Sequence, residues 1–234
     1  MAIVKPFKAV RPTRDKVSLV ASRSYQTYTQ AEREARLDYN PFSFLHIVNP
    51  GYKYDREISG TERYSLVRNR YLEFKEDQIF VQDAEASYYV YKIVNREGQV
   101  FNGIVAAASA KDYQDNVIRK HEDTLEYKEN IFKDYLKTVG FNAEPVLLTY
   151  PDNGVLEEII LGVQNERAEF EFTTTYRDTH YLWIVSDPES LSKIENEFKT
   201  IDTVYIADGH HRSASSYLLS KEMKDEKTSN DNYH

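Results

Sequence analysis

Asp208-Gly209-His210-His211-Arg212-Ser213 places a carboxylate, two imidazoles, a guanidinium and a hydroxyl within six consecutive positions. The residues before it, Val204-Tyr205-Ile206-Ala207, form a run apolar on both faces that suits a buried strand. After it, Ala214, Tyr217 and Leu218 recur at helical spacing, so the segment predicts a strand, a tight turn at Asp208-Gly209 and a helix. Gly209 permits a backbone path that a Cβ would resist. The helix N-terminus offers unpaired N–H groups and the positive end of the helix dipole. With His210, His211, Arg212 and Ser213 on its first turn, this is an anion site in outline, shaped for a phosphate. A plainer arrangement uses the same residues: Asp208 caps the helix, Arg212 pairs with a carboxylate, and the histidines are half buried and satisfied.

Arg119-Lys120-His121-Glu122 is the second stretch with chemical potential. Four ionisable residues in a row are ordinarily a solvated loop. The same types can also meet a phosphate through a cation and handle a proton through an imidazole or carboxylate.

Several elements must position these two stretches. A strand is expected from Ile3 to Val10, closed by Arg11-Pro12, and a helix from Thr29 to Leu37. Ser43 to Val48 reads as a further strand. Tyr64, Val67, Tyr71 and Phe74 share one helical face between Thr61 and Phe74. Ser87 to Val94 and Gln99 to Ser109 predict a hairpin turning at Asn95-Arg96-Glu97-Gly98, with both strands largely covered. Phe132, Tyr135, Leu136 and Val139 mark a helix from Lys128 to Val139, stopped by Gly140. Pro145 to Tyr150 is expected as a strand, with Asp152 capping a helix over Val155 to Leu161. Phe170 and Phe172 belong to a strand paired with Tyr181 to Val185. Asp187-Pro188 opens a helix that turns Leu191, Ile194 and Phe198 inward. From Lys221 to His234 the chain turns polar and is expected to be a frayed tail.

Composition limits what such a chain can do. With 234 residues, 41% hydrophobic and 29% charged, it can bury a substantial core, as one domain or as two tightly joined lobes at 1–140 and 141–234. No apolar run approaches a membrane span, and Met1-Ala2-Ile3-Val4-Lys5-Pro6 lacks the apolar core of a secretory signal, so a cytoplasmic protein is expected. Without cysteine there is no disulfide, thiolate nucleophile or cysteine metal site. Thirty basic against thirty-eight acidic residues give a net charge of −8, the wrong sign for a protein that lives on nucleic acid. Strands and helices do not alternate regularly, which predicts an α+β fold of mainly antiparallel sheets with interspersed helices.

Asp208-Gly209-His210-His211-Arg212 followed by small residues resembles the family catalogued as domain of unknown function one thousand and fifteen. Matching pieces lie along the chain in order: Pro6 to Pro12, Asn40 to His46, Arg119 to Thr124, Glu144 to Leu148 and His180 to Trp183. The loop is also similar to the phosphate-binding loop of the ParB and sulfiredoxin superfamily, which includes free-serine kinases. Sulfiredoxin chemistry is excluded because His210 stands where that reaction needs a cysteine. The resemblance implies a small-molecule phosphotransferase acting on free serine or in phosphoserine metabolism, with ATP or ADP and Mg²⁺ as cofactors. Gly209, His210, His211, Arg212, Ser213, Arg119 and Lys120 would bind phosphate, and Asp208, Glu122 or His121 would act as base or metal ligand. Two departures weaken that inheritance. Gln26 stands where relatives carry an aspartate, and Asn130-Ile131-Phe132 replaces an acidic-basic cluster. Relatives continue past this point with a further region, so binding is expected to outlast catalysis in this chain. Two other classes stay open. One is a metal-dependent hydrolase using His210, His211, His121 and Asp208 or Glu122, although adjacent helical histidines point in different directions. The other is a nucleotide-sensing or nucleic-acid-binding module of ParB type, of which the net acidity disfavours DNA but not a nucleotide.

Overall fold

A computed structural model describes residues 1–52, 54, 56 and 58–225. The chain opens with β1 (Val4–Lys5) and β2 (Val10–Pro12), then α1 (Val17–Val20), α2 (Gln30–Tyr39), α3 (Leu45–Val48) and α4 (Gly60–Glu76). There follow β3 (Phe80–Gln82), β4 (Tyr88–Val94), β5 (Val100–Val105), β6 (Ala107–Ala108), α5 (Ala110–Gln114), β7 (Ile118–Arg119) and α6 (Glu126–Val139). The last part holds β8 (Leu147–Thr149), α7 (Gly154–Val163), β9 (Phe170–Thr173), β10 (Thr179–Val185), α8 (Pro188–Phe198), β11 (Val204–Asp208) and α9 (His210–Asp225). The fold is α+β with mostly antiparallel sheets, and among the described residues no helix is long and apolar enough to cross a membrane.

The larger sheet has the order β5-β4-β10-β9, antiparallel throughout. Period-2 alternation in Tyr88-Tyr89-Val90 sends Tyr88 and Val90 into the main core, where Val90 lies opposite Trp183. Tyr89 faces the other way, and its hydroxyl receives the Ala9 N–H and meets Asp83. The β4–β5 hairpin turns at Gly98, whose φ of +82° suits glycine. The expectation that both hairpin strands are covered fails for β5. It is an edge strand, and Val100 and Phe101 are exposed.

The second sheet, β7-β11-β8, carries the strand that leads into the loop at Asp208. β11 runs parallel to β7 and antiparallel to β8. Val204 and Ile206 enter the same core as Trp183, whereas Tyr205 and Ala207 on the opposite face are exposed, so this strand is covered on one face only. Strands from either side of residue 140 share both of these sheets.

Helices α6 and α9 pack together. Lys133 and Lys137 both bridge to Glu222, so α9 continues as helix through Lys221–Asp225, where a frayed tail was expected. The remainder of that expected tail lies outside the described residues. α4 presents Val67 and Phe74 to a second cluster, and Tyr64 meets Tyr135 of α6 edge to face at 5.2 Å. Gly140, at φ +79°, ends α6 by returning its N–H to Leu136.

Three further expectations need correction. The strand from Ile3 to Val10 is broken after β1, because Pro6 has no N–H to continue a ladder, and β2 pairs instead with β3. Ser43 to Val48 ends as the helical turn α3. The Asn40 and Ser43 side chains accept the Phe42 and Leu45 N–H groups and curl the chain, and Leu45 and Ile47 are both buried. Asn153, not Asp152, caps α7, accepting the Leu156 N–H at 3.0 Å.

Candidate functional site

Parallel pairing brings the two chemical stretches to one place. Tyr205 of β11 is level with Arg119, the last residue of β7, while β11 continues to Asp208. The chain leaving β7 therefore runs beside the end of β11, and Lys120, His121 and Glu122 arrive at the first turn of α9. Nδ1 of His210 lies 3.1 Å from Oε1 of Glu122, and the His121 and His210 rings meet edge to face with centroids 4.3 Å apart. One ligand atom from each of His121, Glu122 and His210 lies within 4.8 Å of the others. His210 is 4% exposed, but His121 and Glu122 are exposed, so a fixed ring meets two side chains that can move. When Nδ1 carries the ring proton it donates to Glu122 and leaves Nε2 as an acceptor; that Nε2 is buried with no hydrogen-bond partner among the described residues.

His211 faces elsewhere. Its ring is tilted against Phe132 of α6 at 6.4 Å, and its Nδ1 is likewise buried without a partner. Phe132 belongs to the Asn130-Ile131-Phe132 departure, which thus lies against the site, while Asn130 donates its amide to Glu126 O within α6. Gln26 sits in the 3-10 turn at Tyr25–Thr27, whose contacts run to Arg33 of α2 and to Asn49.

Arg212 is a latch. Its Nη1 donates to Glu144 O at 3.1 Å and Pro145 O at 2.9 Å, and its Nη2 donates to Asp208 Oδ2. The guanidinium folds back over Gly209, where an added Cβ would sit 3.2 Å from it, and Gly209 has φ +98°. Glycine is therefore required twice at this turn, by backbone conformation and by the close approach of Arg212. Asp208 is spent on Arg212 and does not join the histidine cluster. The pairing of Arg212 with a carboxylate is the plainer of the two arrangements the sequence offers, and it ties both residues to each other and Arg212 to the Glu144-Pro145 segment.

The remaining residues frame the first turn of α9. Ser213 donates its N–H to Gly209 O at 2.9 Å, which closes the first helical ring and leaves the preceding N–H groups without intrahelical acceptors. Lys120 Nζ stands 4.7 Å from the centre of the Tyr113 ring, and Tyr113 in turn packs on Tyr217 of α9. Arg119 is exposed at the end of β7. Sequence reasoning misses the Glu144 and Pro145 carbonyls and the Tyr113 ring, which act through tertiary contact with no local signal, and it places Phe132 on a helical face and in the Asn130-Ile131-Phe132 departure but not against His211.

Residues 4–234 match the family described as Protein of unknown function (DUF1015), and the chain belongs to that family. No curated protein and no solved structure matches it.

Proposed function

We propose that this DUF1015 family member binds a phosphorylated small molecule or nucleotide at the N-terminus of α9 and transfers a phosphoryl group to or from a small hydroxyl compound, free serine being the suggested acceptor. One observation carries this reading: parallel pairing of β7 with β11 delivers Lys120, His121 and Glu122 onto the first turn of a 16-residue helix that begins with the buried His210. Unpaired N–H groups and the helix dipole favour an anion there, and Lys120 and Arg119 add mobile positive charge. The Glu122–His210 pair is placed to accept the proton of an attacking hydroxyl, as a carboxylate backed by an imidazole. Arg212 and Gly209 have a positioning role, fixing the turn whose N–H groups face the ligand.

ATP or ADP would bring Mg²⁺ bound to its phosphates, where the ion neutralises developing charge. Mg²⁺ prefers oxygen ligands, and with Asp208 committed to Arg212 the site offers it the Glu122 carboxylate. Such a reaction belongs to the cytoplasm, where nucleotides are abundant. Transfer by this chain should be slow relative to binding, since Gln26 and Asn130-Ile131-Phe132 supply none of the charges found in relatives.

Transfer of radiolabelled phosphate from ATP or ADP to serine tests the reading. The expected result is slow incorporation that falls about 10²- to 10⁴-fold in Glu122→Gln, the usual contribution of a general base. Turnover indifferent to Glu122→Gln would remove the proposed base. The metal-dependent hydrolase is the second reading, and the gathering of His121, Glu122 and His210 is what favours it.

A further inference from the structure

The distance between His210 and Glu122 raises a separate question about what lies between them. Nδ1 and Oε1 are 3.1 Å apart, and both carry lone pairs unless a proton is placed between them. Among the described residues no group fixes that proton on Nδ1, because Nε2, the other end of the ring, has no hydrogen-bond partner there. Either a proton or a cation must separate the two atoms. His121 adds a second imidazole to the same spot.

We propose that His121, Glu122 and His210 form a three-ligand site for a divalent cation of the zinc class, with a coordination position left open to an oxygen of the bound ligand. Two imidazole nitrogens and one carboxylate oxygen are a donor set that Zn²⁺ takes in sites with an open position, whereas Mg²⁺ selects oxygen. Donors at roughly 2.0–2.2 Å from a tetrahedral ion lie about 3.3–3.6 Å from one another. The His210–Glu122 distance of 3.1 Å is already near that spacing. The full group spans up to 4.8 Å and must contract, which the exposed His121 and Glu122 can do by rotation around the buried His210. His211 and Asp208 are outside the set, one turned toward Phe132 and the other paired with Arg212. The chain has no cysteine to compete for the ion.

The inference rests on the reading of the same site as a phosphate-handling centre: with the cation bound, His121, Glu122 and His210 would hold it against a ligand oxygen and polarise that oxygen, and without it Glu122 and His210 are the proton-accepting pair. Its test requires neither nucleotide nor turnover. ZnCl₂ and CoCl₂ are titrated separately into the untagged full chain, followed by calorimetry and, for Co²⁺, by visible absorption. One equivalent should bind, with Co²⁺ bands of a low-coordinate nitrogen and oxygen site, and millimolar MgCl₂ should not displace it. His121→Ala and Glu122→Gln alter exposed side chains and leave the core intact, which circular dichroism verifies; each should weaken binding by at least about tenfold. Absence of binding, binding unchanged in both variants, or displacement by Mg²⁺ would each overturn the proposal. A failed metal titration with intact nucleotide binding rejects the zinc-class site alone. The reverse outcome rejects the phosphate reading alone.

Discussion

His180 on β10 and His210 on the first turn of α9 are both sheltered imidazoles, and their surroundings differ in completeness. His180 stacks on Phe172 with centroids 5.1 Å apart, and its Nδ1 lies 2.6 Å from the Tyr91 hydroxyl, whose own pKa burial pushes up to about 12. It is a filler of an antiparallel sheet, given a stacking partner and a hydrogen bond. His210 is more deeply buried, yet one nitrogen has no partner and the other meets a carboxylate beside a second imidazole. An unpaired buried polar atom costs about 1–3 kcal/mol, so packing gives no reason to keep a histidine at position 210. Availability to a ligand does.

The largest effect that should separate the two regions is in the shared core. Trp183 of β10 is buried, faces Val90 and donates its Nε1–H to Glu166 O. Trp183→Ala should cost about 3–5 kcal/mol in urea unfolding, while His210→Leu, which removes an unsatisfied atom and keeps an apolar body, should change stability by less than about 1 kcal/mol. A loss at His210 as large as that at Trp183 would make His210 a structural residue like His180.

A smaller effect sharpens the other side. His180→Gln should cost about 1–3 kcal/mol by leaving the Tyr91 hydroxyl poorly paired. It should also alter the pH profile. Burial, aided by Arg23 and opposed by Asp178, holds the His180 pKa below its ordinary value. The unfolded chain then binds the proton more readily than the native one, so this contribution is complete above about pH 6.5 and is lost as pH falls through the native value. Unfolding midpoints from pH 7.5 down to 5 should decline more steeply for wild type than for His180→Gln; parallel slopes would show that the sheet does not depress this group. The smallest expected effect is none at all. With a net charge of −8, the protein should leave duplex DNA unshifted at physiological salt, and a salt-sensitive gel shift would favour the ParB-like alternative.

Residues with local partners were legible before the fold was known. Asp187-Pro188 opens α8, with Asp187 accepting the Ser190 N–H, and Gly140 ends α6, because a cap reports its own neighbourhood. The strand, turn and helix around Asp208-Gly209 were legible for the same reason. The site was harder to read. His121 and Glu122 reach His210 only through a two-residue parallel strand, too short to leave a periodic signature. Arg212 has enough charge to suggest a phosphate ligand, and a carboxylate partner, which proves to be Asp208, is legible as the plainer option, but the carbonyls it also binds lie 67 and 68 residues away in sequence. Its role as a latch also changes the best mutation. Arg212→Ala would loosen the turn itself, so a weakened ligand response in that variant would not distinguish contact from positioning.

Lys120 is the cleaner probe, because it is exposed, leaves the turn untouched and stands over Tyr113 at the flank of α9. Pyrophosphate titrated calorimetrically into wild type and into Lys120→Ala, with both shown to be folded, tests the central claim most directly. Wild type should bind, and the variant should bind at least about tenfold more weakly, the loss expected for one charge-assisted contact. No binding by wild type, or equal affinity in the two proteins, would contradict a phosphate site where Lys120 to Glu122 meet the first turn of α9.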